Sequence, residues 1–136
     1  MIVATYPKMN EETTAGIRVR VETQYQFKES NPEAGAYVFA YRIRIQNQTD
    51  HPVQLLNRHW DITDCGNDIR TVEGEGVVGK QPVLQPTDEF VYISGCQLRS
   101  EMGQMVGHYE MIDLVTNQLF EVRVPAFTLE VPFKLN

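Results

Sequence analysis

Apolar and polar residues alternate along much of this chain with the period of a β-strand. Ile17, Val19, Val21, Thr23, Tyr25 and Phe27 interleave with Arg18, Arg20, Glu22, Gln24 and Gln26. Successive side chains of an extended backbone point to opposite faces, so this run predicts a half-buried strand. Lys28-Glu29-Ser30-Asn31-Pro32-Glu33-Ala34-Gly35 is polar and holds both Pro and Gly, which marks a loop. Tyr37, Phe39, Tyr41, Ile43 and Ile45 then repeat the alternation, against Arg42, Arg44 and Gln46. A third run, Val53 to Thr63, contains the only tryptophan. It passes through Asp64-Cys65-Gly66-Asn67-Asp68 into Ile69-Arg70-Thr71-Val72, the pattern of a hairpin with a longer loop.

Phe90-Val91-Tyr92-Ile93 predicts a short strand, and Met105, Gly107, Tyr109 and Met111 share one face of another. Leu119 to Val124 and Phe127 to Val131 close the series. No window keeps a helical period for the ~10–12 residues that a helix assignment requires. Seven to eight short strands with regular turn signals predict an all-β antiparallel sandwich. The opening residues carry no pattern, so the expected organisation is a flexible tail over 1–12 and one domain over 13–136.

Composition narrows the class. Twelve Lys and Arg against 18 Asp and Glu leave a net charge of −6 over 136 residues. A general nucleic-acid binder needs a basic footprint and is not expected. No apolar run approaches the ~20 residues that span a bilayer. Met1 to Lys8 lacks a charged segment followed by an apolar one, so membrane insertion and export are not expected and the location expected is cytoplasmic. Cys65 and Cys96 have no C-x-x-C spacing and are expected to be free thiols.

Gly74, Gly76 and Gly79 spell G-x-G-x-x-G. Pro82 and Pro86 follow at once, and proline costs ~3 kcal/mol inside a helix, so the helix a dinucleotide site requires is excluded. Gln81 stands where a P-loop would place Ser or Thr. What this stretch can still offer is a nest of backbone N–H groups for an anion, formed by Gly74, Gly76 and Gly79 with Lys80 alongside. The competing role for the glycines is conformational, in turns with positive φ. His108 and Glu110 share a strand face, but zinc sites normally need three protein ligands and no third is spaced to help. Asp61, Asp64 and Asp68 read as exposed carboxylates that bind magnesium weakly at most. No catalytic residue, metal site or cofactor is therefore assigned. Arg18, Arg20, Arg42 and Arg44 gather on one face if their strands pair. Like charges directly opposite destabilise a sheet, so Glu22, Glu121 and glutamines are expected to offset them.

Five spaced motifs occur in order: Leu56-Asn57-Arg58-His59-Trp60-Asp61-Ile62-Thr63-Asp64; Gly74 to Pro82; Phe90 to Gly95; Gly103 to Met111; and Val124-Pro125-Ala126-Phe127. Together they resemble the ApaG family, whose domain also recurs in some eukaryotic F-box and polymerase-interacting proteins. The resemblance implies an immunoglobulin-like or fibronectin-type-III-like sandwich and carries a family label of magnesium and cobalt efflux. It assigns no chemistry. Thr87, after Pro86, stands where the family usually has glycine. The function expected is a non-enzymatic binding module that offers loops or a sheet edge to another protein. The alternatives are a sensor of phosphate, pyrophosphate or a nucleotide at Gly74–Lys80, and an indirect metal-homeostasis factor.

Overall fold

The alternating runs become two packed sheets. The computed structural model describes residues 9–64, 66 and 68–132. Its strands are β1 (Met9–Thr14), β2 (Ile17–Tyr25), β3 (Tyr37–Asn47), β4 (Val53–Asp64), β5 (Asp68–Glu75), β6 (Val83–Leu84), β7 (Glu89–Leu98), β8 (Met102–Asp113) and β9 (Leu119–Glu130), with one 3-10 turn at Pro32–Ala34. One sheet runs β1-β2-β3-β7; the other runs β5-β4-β8-β9, with β6 also paired to β4. Every strand pair is antiparallel. This is the all-β antiparallel sandwich that the pattern predicts, of the immunoglobulin-like kind that the resemblance implies.

Three details differ from the sequence reading. The first sheet begins at Met9, so residues 9–12, expected in the tail, form most of β1. Met9, Asn10, Glu11, Glu12, Thr13 and Thr14 show no apolar period because β1 is a polar edge strand. It is held by hydrogen bonds: Asn10 Nδ2 donates to Ala126 O at 2.8 Å, and Thr14 Oγ1 accepts from Arg123 N at 3.3 Å. Residues 1–8 lie outside the described residues. β2 stops at Tyr25, leaving Phe27 exposed with its ring edge-on to Tyr25. The two-residue β6 is too short to leave a periodic signal.

The alternating faces meet in a core of Ile17, Val19, Val21, Phe39, Ile43 and Ile45 from one sheet and Leu55, Trp60, Met105, Tyr109, Met111, Val122 and Leu129 from the other. Trp60 is 3% exposed and packs edge-on to Tyr41, Tyr109 and Phe127 at 5.8, 6.4 and 5.8 Å between centroids. Trp60 and Gly107 are cross-strand partners, and a Cβ at Gly107 would overlap the indole and the His59 carbonyl. Glycine at this position lets the ring lie flat across β8. Between the sheets, the buried hydroxyls of Tyr92 and Tyr109 hydrogen-bond at 2.6 Å, and burial pushes both phenols above their ordinary pKa. Buried Asn47 uses its whole amide: Nδ2 donates to His51 O and Leu84 O, while Oδ1 accepts from Thr49 N and Oγ1. A buried polar group so satisfied avoids the ~1–3 kcal/mol desolvation penalty of an orphaned one.

Asn47 also receives Thr87 N–H, at the turn that leads into β7. That turn places Pro86 second and Thr87 third, closes through Asp88 N to Gln85 O at 2.9 Å, and holds Thr87 at φ 74°. Positive φ at the third position is the type II pattern, which favours glycine. A left-handed conformation costs a residue with a Cβ roughly 1–2 kcal/mol. Glycine would relieve that strain and give back part of the gain through the entropy of the unfolded chain. Thr87→Gly is therefore expected to raise stability by about 0.5–1 kcal/mol, read as a higher urea midpoint at unchanged slope. A lower midpoint would contradict the strained-turn assignment.

Candidate functional site

The local geometry begins with a bulge in β4. Its register on β8 shifts between Leu55 and Asn57, so Leu56 is the extra residue. One extra residue reverses which side chains face inward. Val53 and Leu55 point into the core before the bulge; Trp60, Ile62 and Asp64 do so after it. Asn57, His59 and Asp61 consequently share the outer face with Glu73 and Glu75 of β5, His108 and Glu110 of β8, and Glu121 of β9.

These residues build a shallow groove of about 470 Å³ lined by Asn57, Arg58, His59, Glu73, Gly74, Glu75, His108 and Glu110. His59 and His108 are register partners whose rings stack 4.9 Å apart at 10°. His59 Nδ1 lies 2.8 Å from Glu73 Oε1, and Nε2 lies 3.1 Å from Asp61 Oδ2. Two carboxylates thus claim both ring nitrogens, which favours the imidazolium, the form with two donors. Asp61 raises the His59 pKa most, with Glu73 adding to it. The Thr71 hydroxyl, 2.8 Å from Asp61 Oδ1, and then His59 hold the Asp61 carboxyl below its ordinary value. Asn57 Nδ2 donates to Glu110 Oε1 at 2.8 Å, and His108 Nε2 lies 3.4 Å from Glu121.

One end of the groove runs into an apolar row. Val83, Gln54, Ile112 and Leu119 are successive cross-strand partners on the same face, with Val83 and Leu119 exposed. The opposite sheet carries a different surface. Arg20 and Arg44 are direct register partners there, as the sequence allowed, and Glu89 bridges them at 2.8 and 3.2 Å. Glu22 pairs with Arg42 at 2.8 Å and Glu11 with Arg18 at 3.0 Å. The neutralising carboxylates are Glu11, Glu22 and Glu89. Glu121, expected among them, sits on the other sheet.

The glycine-rich stretch is a tight turn. Val77 N donates to Lys80 O at 2.8 Å and Lys80 N to Val77 O at 2.9 Å, around Val78 and Gly79 at φ 44° and 77°. Gly76, at φ 63°, donates its N–H to Leu56 O, and a Cβ there would overlap the Lys80 carbonyl. Gly74 lies under the Arg58 guanidinium, whose Nη1 donates to the Glu75 and Gly76 carbonyls at 3.0 Å each. The amides of Gly76, Val77 and Lys80 are thus spent within the fold. The turn's other backbone donors, the Val78 and Gly79 N–H groups, lie between those bonds.

The expected carboxylate surface also changes. Asp64 is buried, accepting from Arg99 N and Ser100 Oγ at 2.7 Å each. Asp68 pairs with the Arg99 guanidinium. Among the described residues, no three His, Cys, Asp or Glu side chains form a set that could hold a metal ion. Cys96 is a buried free thiol, and Cys65 lies outside the described residues.

The ApaG-domain family model matches residues 27–113, which span β3 to β8 and every residue that lines the groove. The chain belongs to the ApaG family. Protein ApaG from Brucella abortus (strain S19) is 47% identical over 124 residues, covering 91% of this chain and 95% of that protein. The crystal structure of a Bordetella pertussis protein described as ApaA superposes with a TM-score of 0.82 at 39% identity, over 94% of this chain and all of that one. The structural-genomics target SoR45 gives 0.81 at 34% identity, over 90% and 93%. Within this ApaG sandwich, the His59–His108 stack escaped the sequence reading. Two histidines 49 positions apart become neighbours only through the β4–β8 register, and period alone does not supply a register.

The ionised groove has a pH signature. The His59 pKa stands above the ordinary histidine value of about 6.5. Its contribution to folding is fully present below the unfolded value and is lost as pH rises through the higher folded value. In an NMR titration, His59 should titrate above 6.5, and Asp61→Asn should lower that midpoint. A His59 midpoint at or below the ordinary value in the unmodified protein would contradict the paired geometry.

Proposed function

We propose that this ApaG chain is a non-enzymatic binding module whose docking face is the outer surface of the β5-β4-β8-β9 sheet. One observation carries this reading: a groove walled by Glu73, Glu75 and Glu110 runs directly into the apolar row Val83, Ile112 and Leu119. That surface matches a protein segment bearing basic residues next to apolar ones. Complementary charge would steer and orient such a segment, and the apolar end would supply desolvated contact. A link to magnesium and cobalt efflux, in this reading, runs through the bound partner.

A second reading, the anion sensor, draws on the two remaining turn amides and Lys80. Both are tested on one protein preparation. A photo-crosslinking residue is placed at Val106, exposed on the docking face. Lysate capture is then compared between the unmodified groove, the Glu73→Lys/Glu110→Lys double variant and the surface control Glu33→Lys. The module reading expects one crosslinked protein that is lost in the double variant and kept in the control. Capture indifferent to charge reversal, or no reproducible partner, would overturn it. In parallel, pyrophosphate titration followed by NMR should leave the Val78 and Gly79 amides unmoved; selective, saturating shifts there would favour the sensor.

A further inference from the structure

We infer that β7 is an unguarded sheet edge that pairs with β7 of a second copy of this chain, joining two β1-β2-β3-β7 sheets into one across a two-fold axis. The inference does not depend on the docking face, which lies on the other sheet.

Among the described residues the sandwich has four long lateral edges, and three are protected; β6, beside β5 on β4, has two residues and is too short to template a strand. β1 and β9 lie together and are stitched by Asn10 to Ala126 O, Thr14 to Arg123 N, and the Arg123–Glu12 ion pair at 2.9 Å. β5 carries Asp68, Arg70, Glu73 and Glu75 among its eight residues, the charge density that natural edges use against strand pairing. Among the described residues β7 pairs only with β3, without a bulge, and from Phe90 to Leu98 it holds no charged residue and no proline. A straight, uncharged, β-rich edge of this kind is a template for another strand.

The free groups can be placed residue by residue. Asn47 N donates to Asp88 O, its partner in line with the β3–β7 register, so every second residue from there, Phe90, Tyr92, Ser94 and Cys96, bonds inward to β3. Val91, Ile93 and Gly95 consequently turn both backbone groups toward the open side. Gln97, in the same phase, confirms it: its carbonyl points outward and is already taken by Arg70 Nη2 at 2.7 Å. At the other end Glu89 is held by Arg20 and Arg44. The open window is therefore Val91 to Gly95.

That window is self-complementary. With the axis at Ile93, Ile93 faces its own copy and Val91 faces Gly95 of the second copy. All three residues then sit in hydrogen-bonded pairs, and no charge meets a like charge. Ile93, 63% exposed, and Val91 contribute an apolar strip across the junction. At the level of the axis, Arg42 on β3 and its copy lie three strand spacings apart, about 14 Å, beyond the screening length of roughly 8 Å in physiological salt. An interface of this width falls below the ~1,200 Å² of standard stable complexes, so association is weak and concentration-dependent.

Sedimentation velocity and NMR dilution of the full chain provide the test. The weight-average sedimentation coefficient should rise from monomer toward dimer between roughly 1 µM and 1 mM. Over the same range the Val91, Ile93 and Gly95 amides should shift selectively. Ile93→Lys, on an exposed face and therefore compatible with folding, should abolish both effects. Val83→Lys, an exposed apolar site on the other sheet, should change neither. A monomer at every concentration, dimerisation that survives Ile93→Lys with a native circular dichroism spectrum, or loss in Val83→Lys alone would each overturn the inference.

Discussion

The crossing of the Trp60 indole over Gly107 is the contact on which the rest of the molecule depends. β4 and β8 are the two central strands of the larger sheet, and this pair lies midway along their register. Any side chain at position 107 would occupy the space of the ring and of the His59 carbonyl, so the two residues are mutually dependent. On the inner side the indole meets Tyr41 and Phe127 and so keys β3 and β9 to the same point. On the outer side the next register pair is His59 with His108. Core packing on one face of the sheet thereby sets the chemistry of the other.

The two outer faces divide the charge unequally. On the β1-β2-β3-β7 sheet, four arginines and Glu11, Glu22 and Glu89 form a near-neutral lattice. Exposed pairs of this kind contribute ~0–1 kcal/mol each, so the lattice serves chiefly to tolerate Arg20 directly opposite Arg44. The groove on the other sheet carries Glu73, Glu75 and Glu110, with Asp61 and Glu121 on the same face, and meets them with His59, His108, Arg58 and, beside His108, Arg123. Carboxylates therefore outnumber arginines on this face, while the other sheet is near balance. An acidic groove beside an apolar row is the feature that sets this face apart from the arginine-bearing one.

The fold was legible because the core strands obey period two without ambiguity: Ile17 to Tyr25 and Tyr37 to Ile45 fall on the inner face as their alternation predicts. β1 was illegible because its inward contacts are hydrogen bonds, made by Asn10 and Thr14, and hydrogen bonds leave no apolar period. The site was legible in parts. His59 turns away from Trp60, and His108 and Glu110 share a face, as strand alternation requires. Their convergence with Glu73 depends on the Leu56 bulge, which reverses facing midway along an otherwise continuous run. Asp64 was misread because an isolated carboxylate next to a turn looks like a surface group; only the return of Arg99 and Ser100 from the β7–β8 turn explains its burial. The glycines were legible as turn residues, while the use of their amides was settled by distant acceptors such as Leu56.

The central claim is that one inner contact aligns the outer site, and the most direct measurement is the nuclear Overhauser contact between the His59 and His108 rings. Their centroids lie 4.9 Å apart, so ring-to-ring cross-peaks are expected in the unmodified protein. Gly107→Ala, on the inner face and in the path of the indole, should abolish or strongly weaken those cross-peaks while β-sheet circular dichroism persists. Absence of the cross-peaks in the unmodified protein, or their full retention in Gly107→Ala, would contradict the account.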